Sequence, residues 1–215
     1  MKRKNIGNLS IVGLGKLGLP LASIFAKNGY HTIGIDINNK GNEYINKGIT
    51  PVVENGLEKL ISEVGGKSLV CSNNYDIAIS DTNVTYILTA TPSKSDGSFS
   101  NEQIESALES LSLVLKKSTK KNHLFVISST VMPGSIQNTF IPLIEKISGR
   151  VLNKGFQIAY CPDFVAIGEV IKGFLNPEFV VIGQSCKEAG DIVSDIHHNI
   201  TENNPPLKTM SLASA

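Results

Sequence analysis

The 215-residue sequence predicts an α/β protein, a doubly wound and mostly parallel sheet with helices on both faces. Three observations carry that prediction. Short apolar runs of strand length alternate with helix-like stretches along most of the chain. A glycine-rich turn, Gly13-Leu14-Gly15-Lys16-Leu17-Gly18, falls where the first strand gives way to the first helix. The composition, 41% hydrophobic and 18% charged with mean hydropathy +0.04, supplies a core and is not that of a disordered segment.

Leu9-Ser10-Ile11-Val12 reads as a buried strand that ends at Gly13. Leu19 to Lys27, rich in Ala, Leu and Ile, reads as a helix stopped by Asn28-Gly29. His31 to Asp36 is a second strand and completes one βαβ unit. Leu69-Val70-Cys71 and Val84 to Leu88 follow as strands, with a short helix around Tyr75 to Ile79 between them. Ile104, Leu108, Leu111 and Leu115 form one apolar stripe of an amphipathic helix over Glu102 to Lys116. His123 to Ser128 is nearly all apolar, as a parallel strand covered on both faces requires. A helix from about Gly134 and strands at Gln157 to Tyr160 and Phe179 to Ile182 complete the pattern. The first composition shift is Asn203-Asn204-Pro205-Pro206. Residues 1–204 are therefore expected to form one domain, and 205–215 to begin an inter-domain connection that is cut off.

Charge and cysteine usage narrow the class. Twenty Lys and Arg against nineteen Asp and Glu leave a net charge of +1, which argues against nucleic acid or an acidic membrane surface as partner. No run approaches the roughly 18 apolar residues of a membrane span. The basic start, Met1-Lys2-Arg3-Lys4, leads into no signal-peptide core. Cys71, Cys161 and Cys186 are widely separated and odd in number, so they read as reduced thiols of a cytoplasmic protein. No metal is expected; His197-His198 reads as a solvated pair with no carboxylate or cysteine at ligand spacing.

The glycine turn is GxGxxG in the context that gives the motif its meaning. It follows a strand, opens a helix, and Asp36 closes the next strand. Gly13 allows the tight turn, Gly15 lets the backbone approach a pyrophosphate, and Gly18 lets the helix pack closely on the sheet. The pyrophosphate would rest on the unpaired N–H groups of the helix start, and Pro20 falls where a missing N–H costs little. Asp36 is placed to accept from the adenosine ribose hydroxyls. It would repel the extra phosphate of NADP, and Ile37-Asn38-Asn39 supplies no arginine to compensate. The cofactor expected is NAD in a Rossmann-type domain. FAD or another nucleotide, and a glycine turn binding no nucleotide, are the alternatives.

Beyond this motif the sequence resembles the UDP-glucose/GDP-mannose dehydrogenase family. The resemblance rests on Gly15-Lys16-Leu17-Gly18-Leu19-Pro20-Leu21-Ala22, on Asn46 to Pro51 with Glu54-Asn55-Gly56-Leu57, and on Thr89-Ala90-Thr91-Pro92-Ser93. It continues through Ser128-Ser129-Thr130-Val131-Met132-Pro133-Gly134, Tyr160 to Phe164 and Asn176 to Gly183. Such enzymes use NAD to oxidise the C6 alcohol of a nucleotide sugar to the uronic acid. The resemblance implies that Gly13, Gly15, Lys16, Leu17 and Asp36 line the adenosine and pyrophosphate, and that Thr91 and Pro92 contact the cofactor. Thr130 matches the threonine that helps hold a catalytic water near the nicotinamide, and Asp163 would position water or the substrate hydroxyl. Thr91 as a simple turn residue and Thr130 as a hydroxyl satisfying its own loop are the alternatives.

The resemblance also marks departures. Family members carry a catalytic cysteine in a Gly-x-Cys-x-Pro-Lys-Asp type motif of a second, nucleotide-sugar domain, and no such motif occurs here. The chain is therefore expected to be the cofactor domain, inactive alone, of a full-length homodimer whose nucleotide-sugar substrate meets the other domain. In Pro162-Asp163-Phe164-Val165-Ala166-Ile167-Gly168, Asp163 and Ile167 stand where many members have glutamates. Cys161 reads as a packing residue rather than a nucleophile, since no chain neighbour stabilises a thiolate. A non-catalytic NAD-binding module and a 6-phosphogluconate or β-hydroxyacid type dehydrogenase are the competing readings.

Overall fold

The computed structural model describes residues 7–215. The basic start at Met1 to Lys4 lies outside the described residues. Among the described residues eight strands form one sheet: β1 (Leu9–Val12), β2 (Thr32–Ile35), β3 (Leu69–Ser72), β4 (Val84–Ile87), β5 (Leu124–Ile127), β6 (Gln157–Tyr160), β7 (Val180–Gln184) and β8 (Leu207–Ser211). Their spatial order is β3-β2-β1-β4-β5-β6-β7-β8. The first six run parallel; β7 is antiparallel to β6 and parallel to β8. This is the expected doubly wound sheet, with its order reversing between β1 and β4.

The α-helices of the described residues that cover it are α1 (Gly18–Lys27), α2 (Asn39–Asn46), α3 (Leu57–Val64), α4 (Tyr75–Ser80), α5 (Glu102–Lys117), α6 (Ile141–Ser148), α7 (Val170–Leu175) and α8 (Lys187–Ile200). Two apolar layers result. One packs α1, α3, α7 and α8 on the sheet through residues such as Phe25, Ile61, Phe174 and Val193. The other packs α4, α5 and α6 through Ile79, Leu108, Leu111 and Ile144. β1, β2, β4 and β5 are buried along their whole length, which explains their nearly uninterrupted apolar sequences.

The structure departs from the sequence expectation at identifiable places. Residues 207–211, expected to start a connection, form β8 and pair with β7 along its full length, so the sheet extends beyond residue 204. An edge strand that is half exposed carries no apolar run to announce it. Helix α2 was not evident because Gly41 and its asparagines are poor helix formers. It is held by its surroundings: the Asn38 side chain accepts from the Gly41 N–H, and the Asn46 amide bonds both the N–H and C=O of Cys71. Before α6, residues Ile136–Phe140 take a π-helical turn. Pro142 has no N–H to offer the carbonyl four residues back, and the Ile141 N–H reaches Ile136 instead.

Register positions the functional loops. Val12 lies level with Ile35 and Ile87, Ile87 with Ile127, and Ile127 with Tyr160. The residues that follow these strand ends, Gly13, Asp36, Leu88 to Pro92, Ser128 to Thr130 and Cys161 to Asp163, therefore emerge along one edge of the sheet.

Candidate functional site

The three motif glycines serve two different masters. Gly13 has φ +95°, and a Cβ there would lie 2.5 Å from the Leu88 carbonyl oxygen. A Cβ on Gly18 would overlap the Gly13 carbonyl oxygen. The protein itself demands these two. Around Gly15 nothing lies within 4 Å of an added Cβ, so that space is left for something outside the chain. Leu17, the N-cap of α1, provides no side-chain cap, and the first turn holds no acidic residue. The N–H groups of Gly15, Lys16 and Leu17 donate no hydrogen bond among the described residues. Unpaired donors at the positive end of a helix, beside an open backbone, make an anion cradle.

Asp36 closes one side of this cradle. Its Oδ2 accepts from the Leu14 N–H at 2.8 Å, and its Oδ1 from the Asn38 N–H at 2.9 Å. Each oxygen retains a lone pair for a ligand hydroxyl. The Cys71 thiol, behind this corner, is pushed up to about 12, first by burial and then by the Asp36 charge.

Across the switch point, Thr91 is half-buried and Pro92 exposed, and the Pro92 carbonyl accepts from the Ser100 N–H at 2.9 Å. The neighbouring loop is tied to it where the Ser129 hydroxyl donates to the Thr89 carbonyl at 2.7 Å. Thr130 is exposed beside this tie. Thr89 Oγ1 and Ser128 Oγ are buried with no hydrogen-bond partner. Both fall inside the loop motifs of the sequence, two residues before Thr91 and Thr130, and nothing in the local pattern marks them as buried and unpaired. Buried orphan hydroxyls at the ends of adjacent strands, an open glycine cradle and a held carboxylate together fit a dinucleotide.

The last loop carries Asp163. Its Oδ2 is sealed from solvent without a partner, and burial raises the carboxyl to about 8. Ile167 is 70% exposed. Glu169 pairs with Lys172 at 3.1 Å. The loop is anchored by a residue far away in sequence: the Glu54 carboxylate accepts from the N–H groups of Gly168 and Val170, both at 3.0 Å. Beneath the loop, Cys161 Sγ lies 3.3 Å from His197 Nε2. His197 is 5% exposed, so the pair expected to be solvated is split; only His198 faces water. Position 197 falls on the same α8 stripe as Val193 and Ile200. Burial pushes the Cys161 thiol well above its ordinary value and the His197 imidazole down to about 4, so both are neutral near pH 7. Among the described residues no cluster of three metal-ligating side chains occurs, and no helix is long and apolar enough to cross a membrane.

Fold and cleft define a Rossmann-type dinucleotide-binding domain. Residues 7–201 match the family described as UDP-glucose/GDP-mannose dehydrogenase family, NAD binding domain, and the chain belongs to that family. It is 33% identical over 193 residues to a GDP-mannose 6-dehydrogenase of Pseudomonas putida, covering 89% of this chain and 44% of that protein. A UDP-glucose 6-dehydrogenase of Haloferax volcanii is 32% identical over 209 residues, covering 96% and 48%. The solved ternary complex of GDP-mannose dehydrogenase from Pseudomonas aeruginosa superposes with a TM-score of 0.91 at 30% identity, covering 96% and 47%. The chain thus spans about half the length of the relatives it matches. It is an NAD-binding domain of the nucleotide-sugar dehydrogenase type.

Proposed function

We propose that this domain serves an NAD-dependent oxidation of a nucleotide sugar, from the C6 alcohol to the uronic acid. The supporting observation is the pairing of the Gly15 cradle with the Asp163 loop along one sheet edge. In this reading Gly13, Gly15, Lys16 and Leu17 hold the pyrophosphate, Asp36 the adenosine ribose, and Thr91, Pro92 and Thr130 the nicotinamide half. NAD supplies the hydride acceptor. Thr130 orients water or substrate oxygen from its exposed position. Asp163, protonated up to about pH 8, donates a hydrogen bond to such an oxygen near neutrality and accepts a proton above that pH. The working protein is a cytoplasmic homodimer in this reading.

The second reading, a non-catalytic NAD module, draws support from exposed Ile167, which can neither accept a proton nor hold water. Calorimetric titration with NAD, followed by NADH formation with UDP-glucose, UDP-N-acetylmannosamine and GDP-mannose on the protein with its sugar domain, separates the two. NAD binding with turnover of none of the three sugars favours the module; absence of NAD binding removes both.

A further inference from the structure

The net charge of +1 is a sum over the whole chain, and the fold does not spread it evenly. Residues 116–123 and 146–156 hold seven of the twenty Lys and Arg and none of the nineteen Asp and Glu. The other residues carry the remaining thirteen cations against all nineteen anions, so these two segments differ in sign from the rest of the chain. They lead into neighbouring strands: Leu124 of β5 lies level with Gln157 of β6, and the Gln157 N–H donates to the His123 carbonyl at 2.9 Å. Arg150 ties them together, its guanidinium donating to the carbonyls of Leu115 at 2.9 Å and Ser118 at 2.7 Å, and to that of Lys120. The seven cations thus gather at the edge where the parallel strands begin, opposite the edge that carries Gly13, Asp36 and Asp163.

Helix dipoles account for part of this cluster, since Lys116, Lys117 and Lys146 lie in the last turns of α5 and α6. They account neither for Lys121 and Lys154 in the loops nor for the lack of any acid among them. Lys120 is spent inward, on the Thr82 carbonyl and Asn83 Oδ1. Lys116, Lys117, Lys121, Lys146 and Lys154 are exposed, and the ion pairs of the described residues, Lys27–Glu63, Lys172–Glu169 and Lys187–Asp191, involve none of them.

The groups left for a partner define its chemistry. The arginine fork, which would grip a single phosphate or carboxylate bidentately, is turned onto backbone carbonyls. Phe156, the phenyl ring of these segments, is buried and offers no platform for a nucleic-acid base. Val151, beside Arg150, is 55% exposed. Flexible point charges around an exposed apolar residue fit a diffuse anionic surface with an apolar layer beneath it, a bilayer with acidic headgroups.

We propose that this basic corner docks the protein on a bilayer surface rich in anionic lipid, with the dinucleotide edge turned toward solvent. The proposal rests neither on the cofactor nor on the sugar. Salt screens such attraction over about 8 Å at physiological ionic strength, so it acts at contact and weakens as salt rises.

The test is co-sedimentation of the 215-residue chain with vesicles of phosphatidylcholine, alone or with about 30% phosphatidylserine, at about 50 and about 500 mM salt. Phosphatidylserine raises partitioning at least tenfold at low salt, and high salt removes the gain. The combined variant Lys116→Gln, Lys117→Gln, Lys121→Gln loses about tenfold in partitioning. Lys47→Gln, Lys59→Gln, Lys208→Gln, with the same change of net charge on other exposed positions, loses less than about threefold. Polyglutamate and single-stranded DNA at matched charge bind at least tenfold more weakly than the anionic vesicles. No preference for anionic vesicles, a gain that survives high salt, equal losses in the two triple variants, or either polymer binding as tightly as the vesicles overturns the proposal.

Discussion

Replacing Asp163 by Asn stabilises the protein, and by an amount that depends on pH. The carboxyl has an ordinary value near 3.8 and is held at about 8 in the folded chain, chiefly by burial. Between those values the folded state keeps a proton that the unfolded chain releases, so wild-type stability falls as pH rises from about 4 to 8 and is level above. Four units at about 1.4 kcal/mol each set a ceiling of roughly 5–6 kcal/mol. Only Oδ2 is sealed off and the residue is partly exposed, so screening reduces the effect to about 2–3 kcal/mol. Asparagine has the same shape and no charge to bury. Buried His123 and His197, lowered to about 3 and 4, act in the opposite sense, adding stability as pH rises toward their ordinary 6.5. They do so in both proteins and cancel in the comparison. Urea unfolding of wild type and Asp163→Asn at pH 5, 7 and 9 is the assay. The stability gap opens by about 2–3 kcal/mol toward alkaline pH. A gap that stays constant from pH 5 to pH 9 would refute the burial of this carboxyl as its cause.

Gly15→Val keeps stability within about 1 kcal/mol, since its Cβ meets open space, yet weakens NAD at least tenfold; tight NAD binding by this variant contradicts the cradle. Gly18→Ala does the reverse first, costing about 3 kcal/mol in thermal or urea unfolding because its methyl overlaps the Gly13 carbonyl. Wild type binds NAD more tightly than NADP in calorimetry, and Asp36→Asn narrows the difference at least tenfold. Equal or tighter NADP binding by wild type removes Asp36 from the ribose. Glu54→Gln loses the charge on two hydrogen bonds to Gly168 and Val170, costs about 1–2 kcal/mol, and speeds amide exchange selectively in residues 162–170; uniform exchange across the chain argues against the anchor.

Much of this molecule can be read from local pattern. Strands β1, β4 and β5 are buried on both faces, so burial wrote itself into continuous apolar runs, and the stripe Ile104, Leu108, Leu111 and Leu115 marks the one face of α5 that packs. Gly13 and Asp36 were legible because the dinucleotide turn is local: its glycines, helix start and acid are contributed by one βαβ unit. Helix α2 and strand β8 were not, because their stability comes from Asn46 reaching Cys71 and from pairing with β7, neither of which leaves a period in the sequence.

The sequence by itself determined the fold class, the family and the cofactor turn, since each depends on residues close together along the chain. Tertiary structure alone decided what distant residues do to one another. It set His197 of α8 against Cys161 and removed it from water. It brought Glu54 to the backbone of Gly168 and Val170 across more than a hundred residues. It also enclosed Asp163 so that its carboxyl keeps a proton near neutrality. The physical reason is common to all three: hydrogen bonding and desolvation depend on what surrounds a group in space, and a parallel sheet assembles those surroundings from separate crossover units.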